Sequence, residues 1–192
     1  MTTSSPRLVR LFVALDLPAV VRTELAGWGA RQLGGVAGAR LLEAESMHVT
    51  LCFLGGRCAG EVEAIARALQ VAAGAAPVPL TLGAPLWLPR RRPRVAAVRL
   101  PGGEGNRGAG VAALQSAVAA KLARAGWYEP EARPFLAHVT VARAGKGGLS
   151  RPPELTPPPA IRFTAETVSL YRSHTGPAGA RYEPLATVCL AG

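Results

Sequence analysis

The sequence predicts an α+β fold: one domain in two similar halves, each an antiparallel sheet with helices outside it. Three observations carry that expectation. Short apolar strands alternate with helices and are often joined by tight turns, which favours antiparallel sheet over a doubly wound one. The order strand, helix, histidine strand occurs twice. Each series ends on nearly the same tetrapeptide, HVTL at 48–51 and HVTV at 138–141, which together use two of the chain's three histidines. The span 1–192 is of a length for one such domain.

Taken in order, residues 10–18 (RLFVALDLP) are apolar, rich in strand formers and stopped by Pro18: a strand. Residues 19–33 place Val20, Leu25, Trp28 and Leu33 at helical spacing before a Gly-Gly pair ends the pattern. Residues 46–56 (SMHVTLCFLGG) form a strand closed by glycines, and 59–74 a second helix with Val62, Ile65, Leu69 and Ala72 on one face. Strand candidates follow at 78–88 and, after the basic turn PRRRPR, at 95–101. A glycine-rich turn then leads to a helix over 107–126, with Val111, Leu114, Val118 and Leu122 on its apolar face, and to the strand LAHVTVAR. From the proline ending the leading strand to the motif histidine is 30 residues in one half (Pro18 to His48) and 37 in the other (Pro101 to His138). The insert GGEGNRG accounts for the excess. The stretch from 145 to 159 is loop by composition, and IRFTAETVSLYRS and YEPLATVCL close the chain as two more strands.

The composition, 49% hydrophobic and 18% charged, excludes a disordered chain. No apolar run reaches the length of a membrane span, and the first residues lack the pattern of a secretion signal. Cys52, Cys58 and Cys189 have neither a disulfide framework nor metal-ligand spacing, so a reducing cytoplasm is the expected compartment. Net charge is +10, carried almost wholly by arginine, with lysine only at 121 and 146. Such a balance suits a polyanion such as nucleic acid, or serves solubility alone.

In a strand, residues two apart share a face. His48 and Thr50 therefore project together, with Val49 and Leu51 behind them; His138 and Thr140 repeat the arrangement in front of Val139 and Val141. If a pseudo-twofold relates the halves, two imidazoles and two hydroxyls face one cleft. That set suits metal-free acid–base cleavage of a phosphodiester: one neutral histidine takes a proton from the nucleophile, and one protonated histidine gives a proton to the leaving oxygen. The threonines can hydrogen-bond non-bridging oxygens, and Arg143 is placed to neutralise charge there. His174, followed by Thr175 and Gly176 in a turn-like stretch, has no such role.

HVTLCFLG and HVTVAR resemble the paired H-x-T-x motifs of the 2H phosphoesterases. The match is closer to their RNA 2′,3′-cyclic phosphodiesterase branch, the LigT-like or 2′-5′ RNA ligase proteins. RLFVALDLP, RPRVAAVRL and LYRSHTGPAGARYEPL resemble that branch's opening, middle and closing segments, so the likeness covers most of the chain. It implies a bilobal α+β fold with a central cleft, and hydrolysis of a terminal 2′,3′-cyclic phosphate on RNA to a 2′-phosphomonoester. His48 and His138 carry over as the acid–base pair, His138 activating water and His48 protonating the 3′ oxygen. Thr50, Thr140 and Arg143 carry over as phosphate ligands and Phe53 as a platform for the terminal base. By alternation alone Phe53 belongs with Val49 and Leu51 on the buried face, unless the strand bends near Gly55. The chain departs from the family at Leu41 and Leu42, where a tryptophan is frequent, and at Ala137, where proline often precedes the histidine.

The run Arg90, Arg91, Arg92, Pro93, Arg94 is either a solvated loop or a clamp on RNA backbone phosphates. The expected partner is RNA with a cyclic phosphate end, with no membrane, no obligate protein partner, no metal and no cofactor; a monomer is expected. Other readings are a phosphodiesterase on 2′-5′ oligonucleotides or small cyclic nucleotides, reverse ligation to a 2′-5′ linkage, and a non-catalytic RNA-end binding module. A metal-dependent hydrolase is the weakest of them, because Glu43, Glu45 and Glu131 have no ligand spacing with the histidines.

Overall fold

Strand, helix and histidine strand do recur, and the two histidine strands lie side by side. The computed structural model describes residues 7–101, 108–145, 148–149, 151–176 and 179–192. The glycine-rich turn at 102–107, the start of the third predicted helix at 107 and part of the loop after residue 145 lie outside them. In chain order the elements are β1 (Leu8–Asp16), α1 (Ala19–Leu33), β2 (Ala39–Leu41), β3 (His48–Cys58), α2 (Val62–Ala68), β4 (Val78–Thr81), β5 (Pro85–Leu88), β6 (Val95–Arg99), α3 (Gly108–Arg124), β7 (His138–Ala144), β8 (Arg162–Ala165), β9 (Thr167–Gly176) and β10 (Gly179–Cys189).

Eight strands form one antiparallel sheet in the order β10-β9-β1-β3-β7-β6-β5, with β2 also on β7; β4 and β8 pair separately. One edge of β7 is filled by β6. The other edge is shared: β2 takes Ala142, Arg143 and Ala144, and β3 takes only Val139, through Val49. The halves of the sheet are thus joined by one residue pair, at the histidine end of both strands. Behind that pair the core is continuous, and Val49, Val139, Leu15, Leu25 and Leu122 are all fully buried. Helix α1 packs against β7 and α3 against β3, so each half's helix braces the other half's histidine strand. The helices cover one face of the sheet.

Several expectations need correction. The apolar face of α1 is Val21, Leu25, Trp28 and Leu33; Val20 is 67% exposed. The predicted helix at 59–74 is α-helical only over α2, with 3₁₀ turns at Ala59–Glu61 and Leu69–Gly74. Residues 78–88 are two strands in different sheets, parted at Gly83, where a Cβ would collide with Pro101 and with the Arg99 carbonyl. The closing segment holds three strands, because Glu166 separates β8 from β9, and β9 carries His174 through to Gly176 as strand rather than turn.

The strand β3 is not closed by its glycines but runs on to Cys58. It is irregular twice against β1. Ala14 pairs with Thr50 and Val13 with Cys52, leaving Leu51 as an extra residue; Phe12 then pairs with Phe53 and Leu11 with Gly55, leaving out Leu54. Strand β7 repeats the first irregularity at the same place: Ala97 pairs with Thr140 and Ala96 with Ala142, leaving out Val141. A bulge of this kind advances the chain one residue and reverses which side chains face out. Both strands accordingly run through the same burial sequence, in which the first and third residues are partly exposed, the second, fourth and fifth buried, and the sixth exposed.

Candidate active site

The site is assembled from the register of the two central strands. With Val49 opposite Val139 in antiparallel pairing, one step either way puts His48 opposite Thr140 and Thr50 opposite His138. All four side chains project to the face away from the buried valines. They form a rectangle in which each histidine faces the other motif's threonine. The two histidines occupy diagonal corners, a separation of about 7–8 Å between backbone positions.

Each imidazole is tied to the backbone two residues before it. His138 donates its Nδ1–H to the Leu136 carbonyl at 2.7 Å, which fixes the tautomer and leaves Nε2 free in the neutral ring. His48 makes the corresponding hydrogen bond to the backbone of Ser46. The His48 ring stacks on Phe12, with centroids 4.8 Å apart, and meets Tyr182 edge-on at 5.2 Å. Burial is the main cause that lowers its pKa to about 4. The Ser46 hydrogen bond opposes that shift, while the charge of Arg143 and of His138 adds to it. His48 is therefore neutral in the free site at neutral pH.

The bulges bring in the next residue of each strand. Phe53 is 55% exposed and lies on the histidine face, where its ring approaches Phe12 with centroids 6.1 Å apart. Simple alternation assigned it to the core; the extra residue Leu51 reverses that assignment before Gly55 is reached. Arg143 occupies the same position on β7, five residues after its histidine, and is likewise exposed. The structural counterpart of the aromatic side chain in one half is thus the guanidinium in the other.

Several neighbours on this face were not visible from spacing. Phe12, Tyr171 and Tyr182 form an aromatic group around His48, with Tyr171 stacked on Phe12 at 5.2 Å. Asp16, the strand partner of His48, accepts hydrogen bonds from Thr167 Oγ1 (2.9 Å), Ser169 Oγ (2.6 Å) and Tyr171 OH (2.8 Å). Burial and the Asp16 carboxylate together hold the Tyr171 phenol well above its usual range. The alternation Thr167, Ser169, Tyr171 in β9 is the signal that could have found this network. On the other side, Arg99 pairs with His138 and Arg40 with Arg143, so both share the site's face, and both are exposed.

The basic run lies apart from the histidines. Arg91, Arg92 and Arg94 are exposed on the β5–β6 connection, which borders the far end of β7: Ala144 N donates to the Arg94 carbonyl at 2.8 Å. His174 is exposed on β9 and pairs with Glu183 at 2.8 Å, away from the motif histidines. Leu41 pairs with Ala142, and the Ala137 carbonyl accepts from Leu100 N at 2.9 Å, so the positions at which the chain departs from the resembled pattern belong to the backbone frame. Cys52, Cys58 and Cys189 are free thiols. Among the described residues no group of three or more His, Cys, Asp or Glu is placed to hold a metal ion, and no helix is long and apolar enough to cross a membrane.

Comparison with known proteins places the chain in a family. The profile of the 2′-5′ RNA ligase superfamily matches residues 21–177. The RNA 2′,3′-cyclic phosphodiesterase of Escherichia coli K12 is 33% identical over 182 residues, covering 92% of this chain and 93% of the relative. Among solved structures, TT0787 of Thermus thermophilus superposes with a TM-score of 0.79 at 26% identity, covering 95% of this chain and 98% of that one. LigT of E. coli complexed with 3′-AMP gives 0.78 at 28% identity, covering 97% and 100%. Fold, paired motifs and sequence agree: the chain belongs to the 2′-5′ RNA ligase superfamily, with the α+β architecture of the LigT proteins.

Proposed function

We propose that this chain is a single bilobal domain that hydrolyses the 2′,3′-cyclic phosphate at an RNA end to a 2′-phosphomonoester, without a metal. One observation carries the reading: the two HxT strands meet at Val49 and Val139, which sets two imidazoles and two hydroxyls on one face. The E. coli relative named for this activity supports the choice of substrate. The reacting phosphate lies within the rectangle, its non-bridging oxygens accepting from Thr50, Thr140 and Arg143. His138 takes a proton from water through its free Nε2. The water oxygen bonds to phosphorus, the bond from phosphorus to the 3′ oxygen breaks, and His48 gives that oxygen a proton. His48 begins neutral, so it acquires its proton as the anionic diester arrives; a negative charge beside the ring favours the imidazolium. Each histidine contributes about 10²–10⁴-fold. Phe53 offers the terminal base a stacking surface. With the 5′-hydroxyl of a second RNA in place of water, the same steps form a 2′-5′ linkage.

The test is product analysis of a short RNA ending in 2′,3′-cyclic phosphate, in EDTA, with wild type, His48→Ala and His138→Ala. Conversion to a 2′-phosphate by the wild type, reduced at least about 100-fold in each variant, supports the paired-histidine reading. Binding without turnover by the wild type would replace it with an RNA-end binding module.

A further inference from the structure

The two halves of the site face carry different side chains. Around β3 it is aromatic, with Phe12, Phe53, Tyr171 and Tyr182. Around β7 it is cationic. Register places Arg99 across from His138 on one neighbouring strand and Arg40 across from Arg143 on the other, so the two flank β7 at opposite ends and on opposite sides. His138 and Arg143 are five residues apart, which at about 3.3 Å per residue spreads these cations over roughly 15 Å. Both Arg40 and Arg99 are exposed, and neither forms a salt bridge among the described residues.

A nucleoside cyclic phosphate has one phosphate, and the histidine rectangle takes it. Nothing else on such a ligand is anionic, which leaves Arg40 and Arg99 without a counterpart. We propose that Arg40 and Arg99 form a subsite for the internucleotide phosphates of a single strand. The substrate class is then an oligonucleotide of at least two or three residues rather than a mononucleotide, with its terminal base on the aromatic half and its backbone along β7. This rests on the proposed function and names the substrate of the same site. It differs from the clamp suggested for residues 90–94, because these two arginines lie on the strands that border the reacting group.

The experiment compares a trinucleotide ending in 2′,3′-cyclic phosphate with the corresponding nucleoside 2′,3′-cyclic phosphate, in wild type, Arg40→Ala, Arg99→Ala and the two lysine variants. Binding of the trinucleotide 3′-phosphate and of the nucleoside 3′-phosphate is measured alongside by fluorescence anisotropy, so the subsite is read even without turnover. The expected result is that each alanine variant lowers the trinucleotide-to-mononucleotide ratio of kcat/KM, and of affinity, about five- to tenfold, a span set by one lost charge-assisted contact. Lysine should restore most of the ratio, and the logarithmic salt slope for the trinucleotide should fall by about 0.7 per lost contact. Equal losses on both ligands would make these residues supports of His138 and Arg143 and overturn the subsite. So would unchanged ratios.

Discussion

His48 and His138 share a motif, a strand position and a backbone hydrogen bond, yet only His48 sits against an aromatic wall. Its low pKa gives three predictions. First, kcat/KM reports the free enzyme, so its acid limb should fall near pH 4 rather than near the ordinary histidine value of 6.5, whichever ring acts as acid. A limb at 6.5, with chemistry shown to be rate-limiting, would contradict the burial argument. Second, binding of inorganic phosphate between pH 5 and 6 should be accompanied by proton uptake, read by calorimetry in buffers of different ionisation enthalpy and absent in His48→Ala. Third, the unfolded chain protonates this histidine near 6.5 and the folded chain only near 4, so protonation favours unfolding in between. Wild-type stability should drop as pH falls from 6.5 to 4, and His48→Asn should flatten that part of the curve. The histidines and threonines were legible in the sequence because a repeated tetrapeptide needs no fold to be seen. The difference between the two rings was not, because Phe12 reaches His48 only through the pairing of β1 with β3.

At the scale of the element, the matched bulges explain both a success and an error of sequence reading. Alternation placed His48, Thr50, His138 and Thr140 correctly, since the period of two holds over three residues. It failed at Phe53, because Leu51 is an extra residue and a bulge leaves no mark in an apolar run. Gly55 follows the second irregularity, at Leu54, with a φ of +71°, where a side chain is strained. Gly55→Ala should cost about 1–2 kcal/mol in denaturant unfolding and weaken base stacking on Phe53 more than it weakens binding of inorganic phosphate. The β5–β6 connection makes a separate claim. If its arginines hold backbone phosphates, Arg91→Ala with Arg92→Ala should lower the salt slope of single-stranded RNA binding by about 0.7 per contact; an unchanged slope would make it a solvated loop.

The molecule as a whole was legible as an order of elements, because strand and helix periods are local and the repeat is long. Less so were β2, three residues without an apolar pattern of their own, and the split of residues 78–88 at Gly83, where Pro101, later in the chain, approaches so closely that a Cβ would collide with it. What no local pattern could show is that β3 and β7 pair through one residue pair, which sets the histidines on a diagonal instead of face to face. That diagonal has a stereochemical consequence. If His138 and His48 act from those opposite corners as the proposed proton acceptor and donor, water should enter on one side of phosphorus while the 3′ oxygen leaves on the other, in line. A single displacement of that kind turns the phosphorus centre inside out. A 2′,3′-cyclic phosphorothioate of known configuration, opened in isotopically labelled water, should give product of inverted handedness, whereas retention would mean that a group on the protein had bonded to phosphorus first.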